Sequence, residues 1–244
     1  MEGMELGERR DEPVQVLSRR DRASDRPPVI TVVLGGRDMT LRMIRSLGWE
    51  LPWIIYDQRT RPSVLDFVRD MPDVEVLRPR RQSSVAAAWN RGMERAWARG
   101  ADRALVVNND IVFLPHAYEA LNALADDRPD AGILSMAELP ADFEKFRTAA
   151  VLPVVRFSAF LMRRWAYEKV GGFDTRFYPA YWEDADYLRR VKSAGVPTVL
   201  TVRATCFHAH FGSTRSLRGR IRRDFYYRLN GWRFRRKWPD LAPR

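Results

Sequence analysis

The chain has 244 residues, 45% hydrophobic and 30% charged, with a single cysteine and a net charge of +11. That hydrophobic fraction excludes a wholly disordered chain, no apolar run approaches the ~18 residues of a membrane-crossing helix, and one cysteine excludes an internal disulfide or a cysteine-rich zinc site. The charge is one-ended: residues 203–244 carry twelve basic and two acidic side chains, which hold nearly all of the excess. Such a segment suits a polyanion or anionic lipid. The charged start MEGMELGERRDEP predicts no secretory leader and a cytoplasmic, reducing setting.

Residues 1–28 carry charges of both signs, few large apolar residues and a closing Arg26-Pro27-Pro28. They are expected to be a tail without packed structure. From Val29 the texture changes. Short apolar runs predict strands at Val29–Leu34, Trp53–Tyr56, Val74–Leu77, Ala104–Val107, Gly132–Met136, Phe157–Met162 and Thr198–Val202. Helical patterns fall near 38–47, 63–71, 83–99, 116–126, 164–170, 184–194 and 216–237, with Pro115 placed to open the fourth. Strands alternating with helices predict an α/β fold with a mostly parallel central sheet flanked by helices.

Ligands of open α/β sheets bind beyond the carboxyl ends of strands. That rule singles out Gly35-Gly36-Arg37-Asp38, Asp57 and Asn108-Asn109-Asp110. No P-loop and no glycine-rich dinucleotide loop is present. A bound nucleotide would need another way to neutralise its phosphates, such as a divalent metal. The amide and carboxylate oxygens of Asn108-Asn109-Asp110 suit Mg²⁺ or Mn²⁺. Asp57 could meet a ribose or base edge, or simply shape a turn. Glu183-Asp184-Ala185-Asp186 crowds three carboxylates into four residues. They could complement a helix dipole or form a catalytic cluster, and Arg190 lies one turn beyond Asp186. His208 and His210 point the same way along an extended segment.

Together these stretches resemble the inverting family 2 glycosyltransferases of GT-A fold, especially rhamnosyltransferase-like members. The likeness runs from Val29 to about Gly212 and rests on VITVVLGGRDMTLRMIRSL, WIIYD, SSVAAAWNRGMERAWARGADRALVVNNDIVFLP and GGFDTRFYPAYWEDADYLRRVKSAG. It implies a nucleotide-sugar-binding half over 29–130 and an acceptor-side half over 131–214; beyond these, spacing and charge predict a basic amphipathic helix over 215–244. It further implies a metal-dependent, hexosyltransferase-like enzyme using Mn²⁺ or Mg²⁺. Asp57, Asn90, Asn108, Asn109, Asp110 and Arg190 are its candidate nucleotide-sugar contacts. Asp110, Asn108 and His210 are the candidate metal ligands, with His208 the alternative histidine. Asp184 is the implied general base, with Glu183 beside it. Two departures stand out: Asn108 replaces the usual first aspartate, and Leu34-Gly35-Gly36-Arg37-Asp38 replaces the usual end of the first strand.

In the last segment Leu217, Ile221, Phe225, Leu229 and Trp232 recur at helical spacing among nine basic side chains. A helix docked on the core by this apolar face, contact with anionic lipid, and nucleic-acid binding all fit. The expected activity is sugar transfer from a nucleoside diphosphate to a glycan or lipid-linked acceptor, peripheral to the inner membrane face. The alternatives are a transferase acting on modified DNA bases and a noncatalytic nucleic-acid-binding protein.

Overall fold

The computed structural model describes residues 15–20, 26–139, 151–152, 155–208 and 217–239. Its strands are β1 (Gln15–Arg20), β2 (Val29–Val33), β3 (Trp53–Asp57), β4 (Asp73–Arg78), β5 (Arg103–Asn108), β6 (Ile111–Phe113), β7 (Ile133–Leu139), β8 (Val151–Leu152), β9 (Ala159–Arg163) and β10 (Thr198–His208). The helices are α1 (Arg37–Leu47), α2 (Leu65–Val68), α3 (Val85–Ala98), α4 (Ala117–Asp127), α5 (Arg164–Val170), α6 (Glu183–Ser193) and α7 (Leu217–Lys237). One sheet runs in the order β1-β4-β3-β2-β5-β9-β7-β10-β6, with β8 on β10.

The parallel part is β4-β3-β2-β5 together with the β7–β10 pair. Between them β9 runs antiparallel to both β5 and β7. The outer pairings of β1, β6 and β8 are antiparallel as well, so the sheet is mixed. Alternate strand residues feed two cores. Val29, Val33, Trp53 and Leu105 join the side covered by α1 and α4. Ile30, Ile54, Val106 and Phe160 join the side covered by α3, α5 and α6. Burial on both faces is why these strands read as unbroken apolar runs.

Three sequence expectations change. Six residues of the expected tail, Gln15–Arg20, form an edge strand on β4. The fourth helix does not open at Pro115; it begins at Ala117 after His116, whose φ of 63° is left-handed. The apolar stripe of α7 does not dock on the core. Asn230, Gly231 and Phe234 do, while Ile221, Phe225 and Trp232 face solvent.

Candidate active site

A cleft of about 700 Å³ opens along the carboxyl ends of the strands. Asn108, Asn109 and Asp110 lie on its floor, where β5 ends in the sheet centre beside β2. Gln58, Gln82 and Ser83 line one side. Gln58 and Ser83 exchange hydrogen bonds, the Ser83 amide donating to Gln58 Oε1 at 2.9 Å and Gln58 Nε2 to the Ser83 carbonyl at 3.1 Å. Ser84 caps α3 through its hydroxyl, which accepts from the Ala87 amide at 3.0 Å. The N-terminal end of α3 is thereby fixed at the cleft wall, which Val85 and Trp89 line. Such a helix end favours an anionic ligand.

The floor is tied together across four strands. The Asn108 amide donates to the Ser158 carbonyl at 2.8 Å, and the Ser158 hydroxyl donates to Glu138. His208 stands between two carboxylates, with Nε2 3.1 Å from Asp110 Oδ1 and Nδ1 3.4 Å from Glu138 Oε2. Burial alone would lower the His208 pKa, but the hydrogen bonds and charges of Asp110 and Glu138 outweigh it and raise it to about 9. Asn109 reaches back to the first turn of the fold, donating to the Gly35 carbonyl at 3.3 Å and to Thr40 Oγ1 at 3.2 Å. Glu138 went unread in the sequence. It sits near the end of β7, where the strand-end rule that found Asn108 would also have found it.

The opposite wall carries Glu183, at the first position of α6. Its side chain is 6% exposed, and Oε2 has no hydrogen-bond partner. Burial, then the neighbouring Asp184 charge, push its carboxyl up to about 8. Tyr181 and Trp182 deliver it in the left-handed region, at φ 79° and 76°. Bulky side chains are strained there and persist only where their surroundings hold them. Trp182 is held by α7: its indole N–H donates to the Tyr227 carbonyl at 3.0 Å, and its ring lies 5.1 Å from Phe234. Tyr187, one turn into α6, stacks on Phe173 at 3.9 Å. Arg222, Arg223 and Tyr226 of α7 complete the cleft with Tyr178 and Tyr181.

Four sequence expectations are corrected by this geometry. Asp57 does not face the cleft. It is buried, accepting from the Thr60 amide at 2.7 Å and from Ser63 Oγ at 3.3 Å, and it is ion-paired with Arg78. Gln58, one residue on, takes its place in the wall. Asn90 spends its side-chain amide on Phe173, donating to its carbonyl and accepting from its N–H, both at 2.8 Å. Arg190 pairs with Asp186 at 3.0 Å and donates to the carbonyls of Val170 and Gly172. That is the helix-ordering role its spacing from Asp186 predicts, and Arg190 does not line the cleft. Asp184 is exposed, accepts from the Ala185 amide at 2.7 Å and does not line the cleft, whereas Glu183 does. His210 lies outside the described residues, and His208 is the histidine beside Asp110.

A mixed α/β sheet flanked by helices, with its polar cleft at the carboxyl edge around Asn108–Asp110, is the GT-A glycosyltransferase fold. No protein-family model matches the chain, and no curated protein matches it in sequence. Solved structures do match. GalNAc-T7 with UDP, GalNAc and Mn²⁺ superposes with a TM-score of 0.60 at 12% identity, over 81% of this chain and 47% of that one. The mannosyltransferase PcManGT from Pyrobaculum calidifontis, in complex with GDP-Man and Mn²⁺, gives 0.60 at 18% identity, over 91% and 68%. TarS 1-349 of S. aureus gives 0.59 at 13%, over 75% and 60%. The chain therefore spans about half of the first structure and somewhat under two thirds of the third.

Proposed function

We propose that this chain is a nucleotide-sugar-dependent, inverting glycosyltransferase resembling the rhamnosyltransferase-like members of family 2. One observation carries the reading. On a GT-A fold, a buried carboxyl with one oxygen lacking a hydrogen-bond partner, Glu183 Oε2, faces Asn108 and Asp110 across a single cleft. The wall of Gln58, Gln82 and Ser83 offers amide and hydroxyl groups to the base and ribose of the donor. The N-terminal end of α3 and the arginines Arg222 and Arg223 offer positive potential to its diphosphate.

Among the described residues no group of three or more His, Cys, Asp or Glu side chains is arranged to hold a metal by itself. His208 separates Asp110 from Glu138. The donors still fit Mg²⁺ or Mn²⁺, which keep waters and phosphate oxygens and need only one or two protein carboxylates. Asp110, with the Asn108 side-chain oxygen, would hold such an ion, and it would neutralise charge on the departing diphosphate. His208, protonated between Asp110 and Glu138, would orient the Asp110 carboxylate and not ligate the ion. Glu183, once ionised, takes the proton of the acceptor hydroxyl. The oxygen forms a bond to the anomeric carbon as that carbon's bond to the diphosphate breaks, with the electron pair leaving on the diphosphate oxygen. One such displacement inverts the centre.

The tyrosine wall of Tyr178, Tyr181 and Tyr226 suits a sugar-bearing acceptor, so a glycan or lipid-linked glycan is favoured over modified DNA. Two variants test the assignment. Glu183→Gln should cut turnover of a sugar nucleotide by about 10²-fold or more while nucleotide binding persists, and Asp184→Asn should leave turnover within a few-fold. The reverse result would return the base to Asp184. If no sugar nucleotide is turned over and none stabilises the protein, the transferase reading fails.

A further inference from the structure

We infer that the outward face of α7 seats the protein on an anionic lipid bilayer. The helix has two unlike faces. Its inner face is closed by specific contacts: Asn230 Nδ2 donates to the carbonyls of Tyr178 and Ala180, at 3.2 and 2.8 Å, and Lys237 and Trp238 both reach Asp186. Gly231 lies flat on Trp182, where a Cβ would come within 3.2 Å of the ring. The opposite face carries Ile221, Phe225 and Trp232, which are 63%, 60% and 49% exposed. Spacings of four and seven put them in one stripe, and Leu229 borders it. Arg228 and Arg235 flank the stripe on one side and Arg222 and Arg236 on the other, and Asp224 is the one acidic residue of the helix.

An exposed apolar stripe between two rows of arginine is the arrangement of a helix lying in a membrane interface. The apolar side chains enter the acyl boundary and the arginines meet anionic headgroups. A second copy of the same face would bring arginine rows against arginine rows. A nucleic acid would use the arginines and leave Ile221 and Phe225 without a role. Because Arg222, Arg223 and Tyr226 of the same helix line the cleft, the seated protein would open its cleft at the bilayer surface. On the transferase reading, that suits an acceptor presented there.

The test is cosedimentation of the full chain with phosphatidylcholine–phosphatidylglycerol vesicles and with pure phosphatidylcholine vesicles. The expected result is binding to the anionic vesicles only. A triple variant, Ile221→Ser, Phe225→Ser and Trp232→Ser, should lose about tenfold or more of that binding, as should Arg228→Glu with Arg235→Glu and Arg236→Glu. All six side chains are solvent-exposed, so both variants should melt as the wild type does, which separates lost docking from lost folding. The inference is overturned if the wild type stays in the supernatant. It is overturned equally if the apolar variant sediments undiminished, or if duplex DNA is bound at physiological salt and the vesicles are not. Nucleotide binding, read by thermal shift, should be the same in the wild type and both variants. Its absence in all three would count against the transferase reading alone.

Discussion

At the scale of single residues, two buried carboxyls, one lining the cleft and one behind its wall, sit in unlike surroundings. Asp57 and Glu183 are both buried, yet one is surrounded by donors and the other has an oxygen with none. A Glu pushed up to about 8 by burial, against an ordinary 4.5, stays protonated in the folded state where the unfolded chain ionises. Its favourable contribution to folding is therefore complete below about pH 4.5 and is lost as pH rises through about 8. Glu183→Gln should melt with the wild type in acid and several degrees above it in mild alkali, a difference that thermal melts across pH would read. On the transferase reading, wild-type turnover should rise with pH over the same window, because only the ionised Glu183 can accept a proton. Asp57 gives the opposite kind of result. Asp57→Ala removes the only carboxylate paired with Arg78 among the described residues and the acceptor of the Thr60 and Ser63 donors, and should cost about 3–5 kcal/mol of stability in denaturant melts. Nucleotide affinity of the folded protein should be kept. The sequence pointed to both positions by strand ends and charge spacing. Which carboxyl turns inward depends on the Tyr181–Trp182 backbone, and that conformation is not encoded in residue type: nothing in Tyr-Trp favours positive φ.

At the scale of elements, the central strands and the longer helices were legible because each is a run with one dominant period. The short strands were not. Ile111–Phe113 follows directly on the Asn108–Asp110 cluster and is too brief to show alternation, and it forms by pairing with the far end of β10. Gln15–Arg20 has the composition of a solvated segment and is a strand because β4 offers it an open edge. For α7 the periodic apolar stripe is plain in the sequence, but its spacing alone leaves open whether the stripe meets the core or the outside. Docking uses the Asn230 amide, the bare surface of Gly231 and Phe234, and these do not read as an apolar face. Close approach also governs α3, where a Cβ on Gly92 would collide with the Ile30 side chain on β2. Gly92→Ala should therefore cost about 1–3 kcal/mol despite alanine's better helix propensity. In an Ile30→Ala background the same substitution should cost measurably less, and a double-mutant cycle in urea would show the coupling. Independent, additive losses would mean that the helix shifts away from the sheet without strain.

At the scale of the whole molecule, the polar ends of β3, β5, β7 and β10 converge on one edge, and the two C-terminal helices close over it. α6 brings Glu183, and α7 brings Arg222 and Arg223 while holding Trp182 in place. The cleft is thus assembled from both halves of the chain, and ligand binding should stabilise the fold as a unit. A nucleotide present at ~100 times its dissociation constant should add about 2.7 kcal/mol to the unfolding free energy. If Asp110 anchors a divalent ion against the diphosphate, that gain should appear with UDP, GDP or dTDP only when Mn²⁺ or Mg²⁺ is present. Asp110→Asn should make the shift small and metal-independent, because it removes the carboxylate proposed to hold the ion. The base-side wall of Gln58 and Ser83 is intact in that variant, so weak nucleotide binding without metal should persist. A full metal-dependent shift in Asp110→Asn would place the ion elsewhere in the cleft. A full shift without any metal in the wild type would assign the diphosphate to Arg222, Arg223 and the N-terminal end of α3.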